Sequence, residues 1–290
     1  MRGGWWQQAV SLRGSVVVET LPKALWFGLW GGAIAFLYKQ GFSQVDLPLL
    51  STLIPNLVLG LLLVFRTNTA YERYWDGRKA WGAIVCATRN LGRTLAIGVD
   101  APEPSARAAQ IQALYRLAAF ALTTKNYLRG DPATAGIPEP FLGEEPLASI
   151  PRPPLHLANR LAAYLQSQYR EGRLNESQLA TAQTTVDDLV ASFTACERIQ
   201  RTPLPLAYSI HLKQLLLLYN LSLPFQVVAT FLWLTPIMVA VISFTILGVE
   251  AIGLQIEDPF GRDANDLPLD SLCAMLVDEI EALVRELPIL

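Results

Sequence analysis

LLSTLIPNLVLGLLLVFRTNTAYERYWDGRKAWG, Leu49 to Gly82, decides how this chain is read. Its first half, Leu49 to Phe65, carries no charge and is mostly aliphatic. Its second half turns abruptly to Arg, Glu, Asp, Tyr and Trp. The first half is long enough to cross most of a bilayer core, which takes about 20 helical residues. The second half does not belong in lipid, because a central Arg or Asp costs about 2.5–3.5 kcal/mol on insertion scales. Arg66 therefore marks a membrane–water boundary. Thr69-x-x-Glu72 has the form of a capping box, which predicts a fresh helix just past it.

The whole composition agrees. Of 290 residues, 52% are hydrophobic and 17% charged, against about 25% charged in a typical soluble domain. A net charge of −2 implies no general affinity for nucleic acid. Cys86, Cys196 and Cys273 are far apart and form no CxxC metal signal; they suit a reducing side or plain burial. The N-terminus shows no apolar run ending in a cleavage site, so no signal peptide is expected.

Three more spans are predicted. Pro22 opens a helix, and Ala24 to Tyr38 is uncharged, giving a first span over 22–39. Its Gly28, Gly31 and Gly32 suit close packing between membrane helices. The second span covers 48–66. From Gln214 to Val249, 36 residues carry no charge, too long for one span and about right for two short ones. These are placed at 211–233 and 236–253, with a turn at Trp233 to Pro236. Arg66, Arg73, Arg78 and Lys79 put the far end of the second span in the cytoplasm, and Arg2, Arg13 and Lys23 put the chain start there too.

The remainder, 67–205 and 254–290, reads as a helical bundle on the cytosolic side. Helices are predicted over Tyr71–Ile97, Ser105–Leu128 and Leu155–Tyr169, with a seven-proline loop between Gly130 and Pro154. Asn175-x-x-Gln178 starts another, its stripe running Leu179, Ala182, Val186, Leu189, Phe193 and Cys196. Asp270 or Ser271 caps the last one. No strand pattern is visible, so the fold class is all-α. His156 and His211 lie far apart, and HExxH, GxSxG, P-loop and GxGxxG are absent, so an enzyme is not expected.

FRTNTAYERYWDGRKAWG (Phe65 to Gly82), CERIQRTPLPLAYSIHLK (Cys196 to Lys213) and QIEDPFGRDANDLPLD (Gln255 to Asp270) resemble, in the same order, motifs of the bestrophin ion channels. The likeness is closer to the prokaryotic and plant branches than to the animal one. It implies a homopentamer in which the second span lines an apolar neck and filters small ions by dewetting. Placing the motif on Arg66 puts the neck at Leu50, Ile54 and Val58. Leu53, Leu57 and Leu61 form an equally good stripe, and either stripe could instead meet lipid or other helices. The animal branch has Phe at two neck positions, where a phenyl edge can face an anion; here they are Ile54 and Val58. Chloride is the expected ion, and a cation channel of the same fold is the alternative. A non-conducting, membrane-anchored interaction protein is another.

The resemblance also implies a second constriction at Leu204, aimed by Pro203 and Pro205, which otherwise serve as a helix breaker before the third span; Asn68 and Thr69 offer polar groups to an ion just below the neck. Gln255, Asp258, Asp263 and Asp266 match a calcium clasp, which makes calcium the candidate cofactor. The alternative is a tight loop whose Asp side chains cap backbone groups. The expected setting is a multi-pass protein in a bacterial plasma membrane, or in a thylakoid-type membrane, with lipid, permeant ions and further copies of itself as partners.

Overall fold

The computed structural model describes residues 4–12, 14–42, 44, 46, 53–143 and 146–287; of Gln8, Leu53, Ile54 and Pro55 only the backbone is described. Among the described residues every regular element is helical. In chain order the α-helices are α1 (Trp5–Ala9), α2 (Val17–Lys39), α3 (Leu53–Arg93), α4 (Pro104–Arg129), α5 (Glu139–Leu142), α6 (Pro153–Arg170), α7 (Glu176–Arg201), α8 (Leu206–Phe231), α9 (Thr235–Glu257) and α10 (Leu269–Glu286).

Two compact units divide the chain. The first takes Met1–Tyr74, Pro203–Asp258 and Arg262–Asp266; the second takes Trp75–Thr202, Pro259–Gly261 and Leu267–Leu290. In the first unit, α8 and α9 form a 52-residue apolar stretch, Leu206–Glu257, which by length and composition can cross a membrane. Leu232–Leu234 breaks it with one 3-10 turn, and Leu232 there has φ 47°, the left-handed region. Pro236 follows within the first turn of α9, where its missing N–H costs nothing. The turn predicted at Trp233 to Pro236 is therefore present. Lys39, at the end of α2, places its ammonium 4.5 Å from the Trp233 ring.

Helix α2 packs closely on α9, and its glycines are the reason. A Cβ on Gly28 would lie 3.0 Å from the Ala240 Cβ, and one on Gly31 would lie 3.1 Å from a Val239 methyl. Phe27, Leu223 and Val239 then join α2, α8 and α9 in one apolar cluster. Leu59 and Leu63 of α3 pack against Leu212 and Leu216 of α8 in another.

In the second unit, α4 and α7 are the long helices. The Asn175–Gln178 capping box forms as predicted: Gln178 N–H donates to Asn175 Oδ1 at 2.8 Å, and Asn175 N–H to Gln178 Oε1 at 2.9 Å. Helix α4 ends at Gly130, φ 70°, where a side chain would be strained. The proline-rich loop is held by buried Ile137, Phe141 and Leu147.

Three local expectations are corrected. Thr69-x-x-Glu72 starts no helix, because α3 runs unbroken for 41 residues and Thr69 donates its hydroxyl to the Phe65 carbonyl one turn back. Pro22 lies inside α2, five residues after its start. Helix α10 begins at Leu269 with no side-chain cap, so Asp270 and Ser271 lie inside it.

Candidate functional site

Helix α3 has two faces over its first half. Leu59, Leu63, Arg66 and Ala70, spaced by three and four, are buried. Leu57, Val58, Leu61, Val64 and Phe65 are exposed, Val58 by 49%. Of the three expected neck positions, Leu50 is outside the described residues, and Ile54 lies in α3 with its side chain outside them. Val58 is on the uncovered face. So are Leu57 and Leu61 of the other stripe, whose third member, Leu53, has its side chain outside the described residues. Asn68 is exposed and follows Leu61 by two turns on the same face, while Thr69 is half-buried.

On the buried face of α3 stands an ion pair. Arg66 is 2% exposed, and its Nη2 donates to Glu257 Oε2 at 2.5 Å. Its Nη1 donates to Ser209 Oγ at 3.4 Å. The expected boundary residue is thus a buried one. Glu257 has further duties. Its Oε1 accepts the Leu204 N–H at 3.1 Å, and its main-chain carbonyl accepts Arg73 Nε at 3.2 Å, closing the end of α9.

The local sequence explains the Leu204 contact. In Pro203-Leu204-Pro205 the prolines have no N–H, so Leu204 supplies the segment's one backbone donor. Left unpaired, that donor would carry a desolvation cost of about 1–3 kcal/mol. Glu257 takes it, which ties the expected constriction, half-buried at Leu204, to α3 through Arg66. In the sequence Glu257 stands only as one residue of the Gln255–Asp270 motif. The available signal lies on the other side of the pair: Arg66 closes an uncharged run, and a charge at the edge of such a run needs a partner.

The loop Gln255 to Asp266 closes on itself. Asp263 N–H donates to Asp266 Oδ2 at 2.6 Å, and Asp266 N–H donates to the Asp263 carbonyl at 3.1 Å. Gln255 Oε1 accepts from Asn265 Nδ2 at 2.8 Å, and that amide also donates to the Gly14 carbonyl at 3.1 Å. Asp258 is exposed. Among the described residues no three Asp, Glu, His or Cys side chains are grouped to hold a metal. Of the four expected calcium ligands, Gln255 Oε1 and Asp266 Oδ2 already accept hydrogen bonds within the loop, and calcium takes about six to eight oxygens.

Charged pairs in the second unit are structural in form. Asp270 receives Arg129 Nη1 at 2.8 Å and Lys125 Nζ at 3.0 Å. The Arg129 hydrogen bond, with that of Lys125, holds the Asp270 carboxyl below its usual range. Arg89 does the same for Glu279 by a forked contact at 2.6 and 2.9 Å. Asp76 and Lys79 pair at 2.7 Å as their spacing predicts, both exposed. Burial pushes the thiols of Cys196 and Cys273 up to about 12, whereas Cys86 is exposed.

Comparison with known proteins is uniform. A family model described as "Bacterial/Fungal Bestrophin protein" matches residues 1–282. A voltage-dependent anion channel-forming protein of Nostoc sp. (strain PCC 7120) is 47% identical over 286 residues, 98% of this chain and 93% of that protein. One of the same description from Synechocystis sp. (strain PCC 6803) is 41% identical over 290 residues, 97% and 92% of the two chains. Among solved structures, a mutated bacterial bestrophin homolog from Klebsiella pneumoniae superposes with a TM-score of 0.82 at 25% identity, covering 93% of this chain and 99% of that one.

Proposed function

Because the chain belongs to the bacterial and fungal bestrophin family, we propose that it is an anion channel of the membrane, built from five copies and conducting chloride. The names of its relatives support anions as the permeant class. The observation that carries the rest is the outward face of α3. In one chain Leu57, Val58, Leu61, Val64 and Phe65 have no cover, while the opposite face is buried against α8. One helix supplies only one sector of a pore wall, so a ring of copies is required.

In this reading the spans are 22–39, 48–66, 211–233 and 236–253, with 67–205 and 254–290 in the cytosol. Leu50, Ile54 and Val58 form the neck, whose narrow apolar bore gates by dewetting. Asn68 and Thr69 lie just below it, and Leu204 forms a second constriction whose backbone Glu257 holds. The loop Gln255 to Asp266 is read as a structural turn, in which Asp266 Oδ2 and Gln255 Oε1 hold the loop itself. The host is a bacterial plasma membrane. Purified protein in a planar bilayer under a chloride gradient tests the reading. A reversal potential that tracks the chloride equilibrium value is expected across a range of chloride gradients. One that follows the cation gradient would replace anion by cation selectivity, and silence at every voltage would leave an anchored interaction protein.

A further inference from the structure

A cleft of about 670 Å³ opens between α2, α8 and α9, lined from the face of α3 that bears Val58 by none of its residues. The volume is in the range of small-ligand sites, about 300–1,000 Å³. Glu250 lines it and is 8% exposed, yet among the described residues its carboxylate receives no hydrogen bond and no ion pair. An intramembrane carboxylate in that position calls for a partner. Lys213 is the foremost cation in its electrostatic surroundings but is not bonded to it, and Lys23, the next, is closed on Glu19 at 2.9 Å.

The cleft is also graded along its length. On α2, Lys23 precedes Trp26 and Phe27; on α8, Lys213 precedes Leu216 and Leu217. Helix α9 runs back in the hairpin, so Leu247 lies on the apolar side of Glu250. One end therefore carries both signs of charge, with Leu254 beside them, and the other is apolar apart from Asn220, whose amide donates to the Leu216 carbonyl. That is the complement of a zwitterionic amphiphile. An anionic headgroup would face the Glu250 carboxylate. A quaternary ammonium has no N–H to give it.

We propose that this cleft holds a phospholipid with a primary-amine headgroup, its ammonium donating to Glu250, its phosphate on Lys213 and an acyl chain along Trp26, Phe27 and Leu217. The proposal rests on the membrane reading above, but its test reads binding without any current, so the two fail separately. Delipidated oligomer in detergent is titrated with dioleoyl phosphatidylethanolamine, phosphatidylcholine or phosphatidylglycerol, and adducts are counted by native mass spectrometry. The ethanolamine lipid is expected to bind about tenfold more tightly than the other two, the worth of one charge-assisted hydrogen bond. Glu250→Gln abolishes the preference, Lys213→Met weakens all three lipids alike, and Leu217→Trp, which narrows the cleft without touching a charge, lowers ethanolamine-lipid binding at unchanged oligomer mass. Equal binding of the three lipids by the unaltered protein, a preference that survives Glu250→Gln, or a neighbouring copy seated in the cleft would each overturn it.

Discussion

The guanidinium of Arg66 and the carboxylate of Glu257 meet at 2.5 Å, with the Arg66 side chain 2% exposed. The same carboxylate holds the Leu204 N–H. A buried pair of this kind adds little over an apolar pair of the same shape, but losing one partner strands the other. Glu257→Gln or Arg66→Met is therefore expected to destabilise the protein by about 3–5 kcal/mol. Thermal unfolding in detergent checks it. The double variant should recover much of the loss, because no charge is left unpaired; additive losses would show that the two residues act independently.

Close packing of α2 on α9 predicts a graded response. Gly28→Val forces atoms into the Ala240 Cβ at 3.0 Å and the Pro236 carbonyl at 3.1 Å, an overpacking cost of about 1–3 kcal/mol. Gly32→Ala meets its nearest atom at 3.6 Å, an ordinary contact. Unfolding midpoints should fall for the first substitution and hold for the second.

Thiol chemistry separates the cysteines. Burial raises the Cys196 and Cys273 thiols to about 12, while Cys86 is exposed, and the thiolate is the reactive form. A maleimide at neutral pH should add once per native chain, at Cys86, and three times after denaturation. A Cys86→Ser chain should stay unlabelled while folded.

Acid should weaken the second unit. The Asp270 and Glu279 carboxyls are held below their usual range by Arg129 and Arg89. A depressed carboxyl stabilises the fold above its unfolded value, about 4, and that contribution fades as pH drops through the folded one. Both groups are over one-third exposed, so solvent screening keeps the effect small. The unfolding midpoint should fall below about pH 4, and less so in Asp270→Asn/Glu279→Gln.

Much of this was legible in the sequence, because charge and apolarity segregate so cleanly along it. The uncharged run to Val249, the hairpin turn before Pro236, the Asn175 capping box and the helix-packing glycines all carry local signals that the fold obeys. Where local signals failed, tertiary context won. A helix already propagating through Phe65 absorbs Thr69 as an ordinary residue bonded one turn back, and α2 tolerates Pro22 near its start. The roles of Glu257 and Glu250 are not legible in spacing, because one depends on a partner 191 residues away and the other on a cleft shared by three helices.

The claim that the uncovered face of α3 lines the conduction path is tested most directly by cysteine substitution at Leu57, Val58 and Leu61 in a Cys86→Ser background. Each variant is recorded in a bilayer before and after a charged methanethiosulfonate reagent. Modification at Val58 is predicted to block or rectify the chloride current, and at the neighbouring positions only if the register follows Leu57 and Leu61. Currents untouched at all three positions, with modification verified by mass, would contradict the account.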